Sequence, residues 1–291
     1  KNSIDATLRG KFLNDSIYIN LSSKKINDIP STDIILKVSK FNLLTKANYI
    51  SPKNDQSITN GNILIKKDKH RFVGIFDYKN NEVVIKESNL KNVFFNGDLE
   101  GKIKIFPYFN FDLDLSLKSL NFTKLYNYFL SLEEIKQKNL FKINNKINGK
   151  LALSSDKLYT RYDLVKSFES RLKFNNGNIL IDQFLLNLGK LGAADISGTI
   201  TNDKKFTNLK FESNLFVDNQ KKFLSKLKIY NKKSIASSLF VSGNFDFQNI
   251  RSTFYEISDN EKLKNGDVNF IEEEFNALML TDGYKNLFHF P

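Results

Sequence analysis

Asn60-Gly61-Asn62-Ile63-Leu64-Ile65 occurs a second time, unaltered, as Asn176-Gly177-Asn178-Ile179-Leu180-Ile181. A looser form (Asn or Ser, then Gly, any residue and an apolar one) starts at Asn96, Asn148, Ser197, Ser242 and Asn265. An Asn-Gly pair is the strongest short-range hairpin signal, because both residues tolerate the positive φ of a tight primed turn. Downstream of each Gly, apolar residues fall at alternate positions, the period of a half-buried strand. The chain therefore reads as one β-unit reused: turn, Gly, alternating strand, without strict spacing. Such a device builds surface, not a catalytic pocket.

The cleanest strand is Phe109-Asn110-Phe111-Asp112-Leu113-Asp114-Leu115-Ser116-Leu117-Lys118, apolar at every odd position and polar at every even one. From Phe109 to Leu117 it spans roughly 30 Å, longer than the usual strand of about five or six residues. Ile17, Ile19 and Leu21 alternate in the same way after a turn expected around Gly10. Ile63 and Ile65, Val83 and Ile85, then Leu99, Ile103 and Ile105 continue the pattern. The second half repeats it with Leu172 and Phe174, Ile179 and Ile181, then Phe184, Leu186 and Leu188. Leu209, Phe211, Leu215 and Val217 come next, and Leu239 and Val241 lead through Gly243 to Phe245 and Phe247.

Three segments depart from the period of two. Leu125, Tyr128, Phe129, Leu132 and Ile135 fall at helical spacing, predicting a helix over about 121–137 with Asn121 or Thr123 as N-cap. Phe223, Leu227 and Tyr230 predict a short helix capped by Asp218. Ile271, Phe275 and Leu278 predict another, with Glu272 to Glu274 in its first turn. Each is expected to be amphipathic and laid on the sheet. Only four Pro occur, and Ser51-Pro52-Lys53-Asn54-Asp55-Gln56 is the most loop-like run. The expected organisation is one continuous β-rich region, 1–250, succeeded by a helix-rich segment, 251–291.

The 27 Phe in 291 residues supply ample apolar area for a core. There is no Cys, which removes disulfide frameworks, zinc ribbons and thiol catalysis together. The net charge of +12 invites a nucleic-acid partner, but the cations are mostly Lys, with five Arg scattered along the chain. Arg is the residue that reads phosphate and guanine bidentately, so no nucleic-acid partner is expected. The densest basic run, Lys66-Lys67-Asp68-Lys69-His70-Arg71, reads as a solvated hairpin tip. No apolar run approaches the roughly 20 residues of a membrane-spanning helix. The chain begins at Lys1 without a signal peptide, as expected of a soluble segment cut from something longer.

Catalysis needs convergent titratable groups, and the sequence offers few. The two His, His70 and His289, sit in no nucleophile-elbow setting. Gly97-x-x-x-Gly101 and Gly189-x-x-Gly192 lack the Lys-Ser/Thr of a phosphate loop. Asp112 and Asp114 share one strand face about 6.5–7 Å apart, which a wetted face explains without chemistry. The expectation is a non-enzymatic protein with no catalytic residues, no cofactor and no metal.

From Arg171 through Asn176-Gly177-Asn178-Ile179-Leu180-Ile181 to Leu188-Gly189-Lys190-Leu191-Gly192-Ala193-Ala194-Asp195-Ile196-Ser197-Gly198, the chain resembles the AsmA-like proteins of bacterial envelopes. Their recurring pattern is a strand, an Asn/Asp-Gly turn, two short apolar strands, a Gly pair and an Asp-x-Ser-Gly-like restart. The stretch from Asn96-Gly97 to Leu132 looks similar, and the resemblance covers about residues 90 to 250. It implies kinship with TamB-like and YhdP-like bridge-type lipid transfer proteins. Their fold is a long, curved antiparallel sheet forming a trough with an apolar inside, anchored in the inner membrane by an N-terminal helix. The implied function is phospholipid transport between membranes and outer-membrane biogenesis, on the periplasmic side of the envelope. The anchor would lie outside this chain, and other envelope proteins are implied as partners.

The residues themselves point the same way. A sheet with one apolar face must be covered, or curled so that the face lines a groove. Few helices are expected, so cover is scarce. The fold class expected is mainly β: a long, curved, trough-like antiparallel sheet with a few short amphipathic helices. The residues expected to line its groove against phospholipid acyl chains are Phe109, Phe111, Leu113, Leu115, Leu117, Leu172, Phe174, Ile179, Ile181, Leu186 and Leu188. The alternative is a structural or adhesive β-repeat surface protein, in which the same residues form a closed core and hold no lipid.

Overall fold

A computed structural model describes residues 3–12, 15–26, 29–39, 42–51, 58–104, 107–160, 163–203, 206–227, 236–259 and 261–282. The loop expected over Pro52 to Gln56, the apolar Ile105 and Tyr230, and His289 lie outside them. Among these residues the protein is mainly β, with 63% in strands and four short helices. It divides into two compact units, Lys1–Lys118 and Ser119–Pro291.

The first unit is an antiparallel meander: β1 (Ile4–Phe12), β2 (Asp15–Ile26), β3 (Ile29–Val38), β4 (Leu43–Ile50), β5 (Thr59–Lys67), β6 (His70–Lys79), β7 (Glu82–Lys91), β8 (Phe95–Lys104) and β9 (Asn110–Asn121), which runs on into the second unit. Each strand pairs with the next. Connections of two to eight residues make this order the accessible one, since antiparallel neighbours need no long crossover. The β6–β7 turn is Asn80-Asn81, both at positive φ, a primed turn whose twist matches the strands it joins. The basic run ends β5 and opens β6, with Asp68-Lys69 as the tip and Lys67 opposite His70. Register shifts between Ile75 and Phe76, and between Ile85 and Leu90, add local bend and twist.

Of the Asn-Gly and Ser-Gly signals, only Asn176-Gly177 is a tight turn, with both residues at positive φ. Asn60-Gly61, Asn96-Gly97, Asn148-Gly149, Ser197-Gly198 and Ser242-Gly243 lie inside strands, and Asn265-Gly266 opens a helix. Gly10 also lies inside β1, paired with Ile17. Most in-strand glycines are there for lack of room. A Cβ on Gly97 would meet the Ser116 carbonyl oxygen and approach Leu117 Cα to 2.8 Å, on the adjacent strand.

The second unit opens with α1 (Phe122–Leu130), where Asn121 caps the helix by accepting from the Lys124 amide at 2.9 Å. The expected continuous helix to Gln137 is broken: a turn at Ser131-Leu132 separates α1 from α2 (Glu134–Lys138). The strands are β10 (Asn148–Ser155), β11 (Leu158–Tyr159), β12 (Ser167–Asn175), β13 (Asn178–Asn187), β14 (Gly192–Asn202), β15 (Thr207–Val217), β16 (Ser238–Asp246), β17 (Arg251–Asp259) and β18 (Glu261–Lys262). β10 pairs with β12, and from β12 to β18 each strand pairs antiparallel with the next. Leu158-Tyr159 runs parallel to Leu120-Asn121. Residues 251–291 thus contribute two strands, β17 and β18, before their helix.

The short helix α3 (Gln220–Lys226) is capped by Asn219, not Asp218. The last helix, α4 (Asn265–Asp282), starts well before Glu272, so the first-turn acid is Asp267. Its inward face also differs from the expected one. Val268, Asn276 and Met279 are buried, whereas Ile271 is exposed and Leu278 is 60% exposed. Glu272 turns to the sheet, where its Oε2 accepts from the Phe254 amide at 2.9 Å.

Candidate functional site

Directly opposed residues in an antiparallel pair lie on the same face, so the registers trace rows across a sheet. In the first unit one row runs Leu8–Ile19–Leu36–Thr45–Ile65–Phe72–Leu90. The next runs Ala6–Leu21–Ile34–Ala47–Ile63–Gly74. Phe76, Ile85, Val83 and Ile103 carry the same face onward through β6, β7 and β8. Gly97 and Gly101 are apposed to Leu117 and Leu113, so Phe111, Leu113, Leu115 and Leu117 complete the face on β9. One side of nine consecutive strands is therefore apolar. The other side is mostly polar, with Ile35, Leu44, Leu64, Val73, Ile75 and Val84 among its residues.

Nine strands at about 4.8 Å spacing make the face about 38 Å wide, and its apolar rows run about 13–20 Å along the strands. At roughly 500–750 Å², that lies at or above the upper end of the roughly 300–600 Å² of the largest apolar patch on an ordinary monomer. No helix occurs among the described residues of this unit. The burial agrees: of the apolar residues on the face whose burial is described, only Val38 and Leu117 (4% exposed) are buried, and the others are half-buried or exposed. At about 25 cal/mol per Å², a face of this size left half in water forgoes on the order of 10 kcal/mol, comparable to a whole domain's stability.

The second unit treats its apolar face differently. Leu151, Leu172, Ile181 and Gly198 lie in one row with Phe211 and Gly243, beside Phe174, Ile179, Ile200, Leu209 and Phe245. At that end Ile179, Ile200, Phe245, Phe247 and Met279 form a sealed cluster, joined by Phe129 and Leu130 of α1, Phe141, Ile143 and Phe275 of α4. At the other end Leu188, Leu191, Val217 and Phe223 form a second cluster under α3, with Leu164, Val165, Leu186 and Leu215 around it.

The eleven residues read from the sequence as a groove thus fall into two groups. Phe111, Leu113, Leu115 and Leu117 share the apolar face that no described helix of the first unit covers, with Phe109 (42% exposed) just outside the strand. Leu172, Phe174, Ile179 and Ile181 belong to the first sealed cluster, and Leu186 and Leu188 to the second. The sequence reading missed the extension of the uncovered face through β1 to β8. The period of two in Ile17, Ile19 and Leu21, and in Ile63 and Ile65, was the signal that marks it.

Titratable groups do not converge. Asp112 and Asp114 are exposed on the polar side of β9, where Asp114 accepts a hydrogen bond from the Ser116 hydroxyl. The displaced carboxyl groups, Asp77, Glu134, Asp163 and Glu256, are each held below their ordinary values first by a hydrogen bond from a lysine. Burial raises Tyr126 to about 12. No group of acids and histidines with metal-binding geometry occurs among the described residues. No helix among them is long and apolar enough to cross a membrane. No protein-family model, curated protein or solved structure matches the chain.

Proposed function

We propose that the chain is a non-enzymatic, AsmA-like lipid-handling protein of a bacterial envelope, assisting phospholipid transport between membranes and outer-membrane biogenesis. The observation that carries the reading is the apolar side of β1 to β9, about 38 Å wide and with no helix over it among the described residues of its own unit. Acyl chains are the occupant whose chemistry fits. Each CH₂ removed from water contributes about 0.8 kcal/mol, but a chain arriving from a bilayer gains nothing net, since both surroundings are apolar. Near-neutral transfer suits a conduit, because tight binding would stall it. The inner or outer membrane, and other envelope proteins, are the partners this implies. The working place is the periplasmic side, with an inner-membrane anchor outside residues 1–291.

The sealed clusters of the second unit favour another reading for that part: a structural or adhesive β-repeat module that holds no lipid. Mass spectrometry of solvent extracts from the purified protein separates the two. Phospholipid should co-purify with the wild type and be lost from a folded Leu113→Asp/Leu115→Asp variant. Equal lipid recovery from that variant removes β9 from the binding face, and lipid-free wild type removes the conduit.

A further inference from the structure

On the polar side of the first unit, one row joins Arg9, Tyr18, Lys37, Lys66, Arg71 and Lys91 across β1 to β7, with Leu44 between Lys37 and Lys66. The row contains no acid, and all five of its cations are exposed. Lys66 lies directly opposite Arg71, and Arg71 directly opposite Lys91. Like charges so placed oppose folding, so the fold gives no reason for them. The ion pairs of this unit join Lys86 to Asp77 and Lys118 to Asp98, leaving the row uncompensated among the described residues. Asp5, Asp33 and Glu87 share the same side but stand in a different row. That row is four residues further along the strands, about 13 Å away, too far to pair directly.

The row also has a definite place on the strands. Lys91 ends β7, Lys37 and Lys66 are next to last in β3 and β5, and Arg71 is second in β6. At the same strand ends the apolar side finishes with Val38 and Leu43, next to Lys67. The β5–β6 turn adds Lys69, while its one acid, Asp68, already accepts a hydrogen bond from Asn42 at 2.7 Å. Lys and Arg at the last positions of a strand carry long stems that let the charge reach past the sheet edge. A cationic border therefore runs along one margin of the apolar face.

We propose that this border holds the phosphate groups of phospholipids whose acyl chains lie on the apolar face, an inference that rests on the lipid-conduit reading. The dimensions agree. The apolar rows run about 13–20 Å along the strands, and one bilayer leaflet presents about 15 Å of hydrocarbon. A chain laid along the strands with its tip at the far margin places its head group at the cations. Charge-assisted hydrogen bonds to phosphate oxygens then relieve the like-charge pairs. A nucleic acid fits the row less well. Its one aromatic, Tyr18, has Arg9 and Lys37 each 5.8 Å from its ring centroid, so both cations compete with any base for the ring.

The test uses the whole chain, equilibrated with equal amounts of phosphatidylglycerol and diacylglycerol bearing identical acyl chains, and native mass spectrometry of what is retained. The wild type should prefer the phosphate-bearing lipid by about tenfold, the equivalent of one charge-assisted hydrogen bond. Lys66→Gln/Arg71→Gln/Lys91→Gln should bring the ratio close to one while total diacyl lipid stays constant. A Lys66→Arg/Lys91→Arg variant should keep the wild-type ratio. Removing like-charge pairs should leave the melting temperature unchanged or raised, so the neutralised protein remains folded for the measurement. An unchanged ratio in the neutralised variant overturns the border alone. Loss of binding to intact anionic vesicles with the ratio preserved overturns it too, in favour of a membrane surface. Displacement of phosphatidylglycerol by a random single-stranded oligonucleotide overturns it in favour of a nucleic acid. Retention of neither lipid by the wild type overturns the conduit and the border together.

Discussion

The side-chain amide of Asn276 on α4 forms two hydrogen bonds with the backbone of Ser252 on β17: its Oδ1 accepts from the Ser252 N–H at 2.7 Å, and its Nδ2 donates to the Ser252 carbonyl at 2.8 Å. Two strand positions further on, Glu272 accepts from the Phe254 amide. Helix side chains thus supply the partners that another strand would give, and an unpaired strand edge is a template for association. Both Asn276 and Ser252 are buried. Asn276→Ala leaves two backbone groups without partners and should destabilise the second unit by about 2–4 kcal/mol. Asn276→Leu should be as harmful, since it restores volume but neither hydrogen bond. Urea denaturation with amide exchange at Ser252 checks this, and near-wild-type stability of the Leu variant would mean that Asn276 acts only by packing.

Gly61 pairs with Phe76 across β5 and β6, and the Phe76 ring lies where a Gly61 side chain would go. A Cβ there would also stand 2.8 Å from the Asn48 carbonyl oxygen, which cannot swing aside. Gly61→Ala should therefore cost about 1–3 kcal/mol, the usual range for overpacking. Adding Phe76→Leu should recover part of that loss, because the ring is the movable half of the clash. Gly10 is the control: a Cβ there meets nothing within 4 Å. Gly10→Ala should be neutral or stabilise by about 0.4–1 kcal/mol through the unfolded chain. Chevron or equilibrium unfolding data reversing the order of Gly61 and Gly10 would contradict the close-approach account.

Alternation told the truth about strands and their sidedness, as in Phe111 to Leu117, because a period of two is imposed locally by the backbone. The N-cap of α1 was legible as Asn121 or Thr123, and the Lys124 amide settles it on Asn121. The Asn-Gly pairs misled because two demands select the same residue: a turn needs positive φ, as at Gly177, and a crowded strand pair needs no Cβ, as at Gly61 and Gly97. Asn80-Asn81 turned the chain without any Gly. The inward face of α4 was misread because Glu272 and Asn276 look solvent-facing until an unpaired strand edge is placed beside them. Above all, periodicity says which side of a strand is dry, not what lies on it. Ile179 ends beneath two helices and Leu115 beneath none among the described residues of its own unit, although both occur in the same alternating pattern.

Asp77 provides a pH test within the first unit. Its carboxyl is held below the ordinary value of 3.8, first by the hydrogen bond from Lys86, with Asn60 adding to it and burial opposing. A depressed folded-state value means stability that is fully present above the unfolded-state value and lost as pH falls through the folded one. The wild type should therefore exceed Asp77→Asn in stability at pH 6, and the gap should close as the pH drops below 3.8. Urea titrations of both proteins between pH 2 and pH 6 decide it. A gap that is constant across that range would place the Asp77 contribution in packing, not charge.

An uncovered face and a sealed core answer differently to the same substitution, and Leu115 and Ile200 are a matched pair for asking which is which. Leu115 is half-buried on β9, with no helix above it among the described residues of its own unit; Ile200 is 5% exposed, in a cluster closed by α4. A polar amide placed without partners in a dry interior carries a penalty of about 1–3 kcal/mol on top of the lost apolar contacts, which alone amount to about 2–5 kcal/mol. Water can reach the amide at Leu115, so most of the first penalty and part of the second vanish there. Ile200→Asn should then unfold the second unit or lower its stability by about 3 kcal/mol or more, while Leu115→Asn should cost under about 1.5 kcal/mol. Adding a phospholipid supply should reverse the comfort of the second variant: lipid should raise the melting temperature of the wild type more than that of Leu115→Asn, because only the wild type offers an unbroken apolar row. Equal losses for the two substitutions in lipid-free protein would mean that the β9 face is a closed core, and the case for a lipid conduit would end with that measurement.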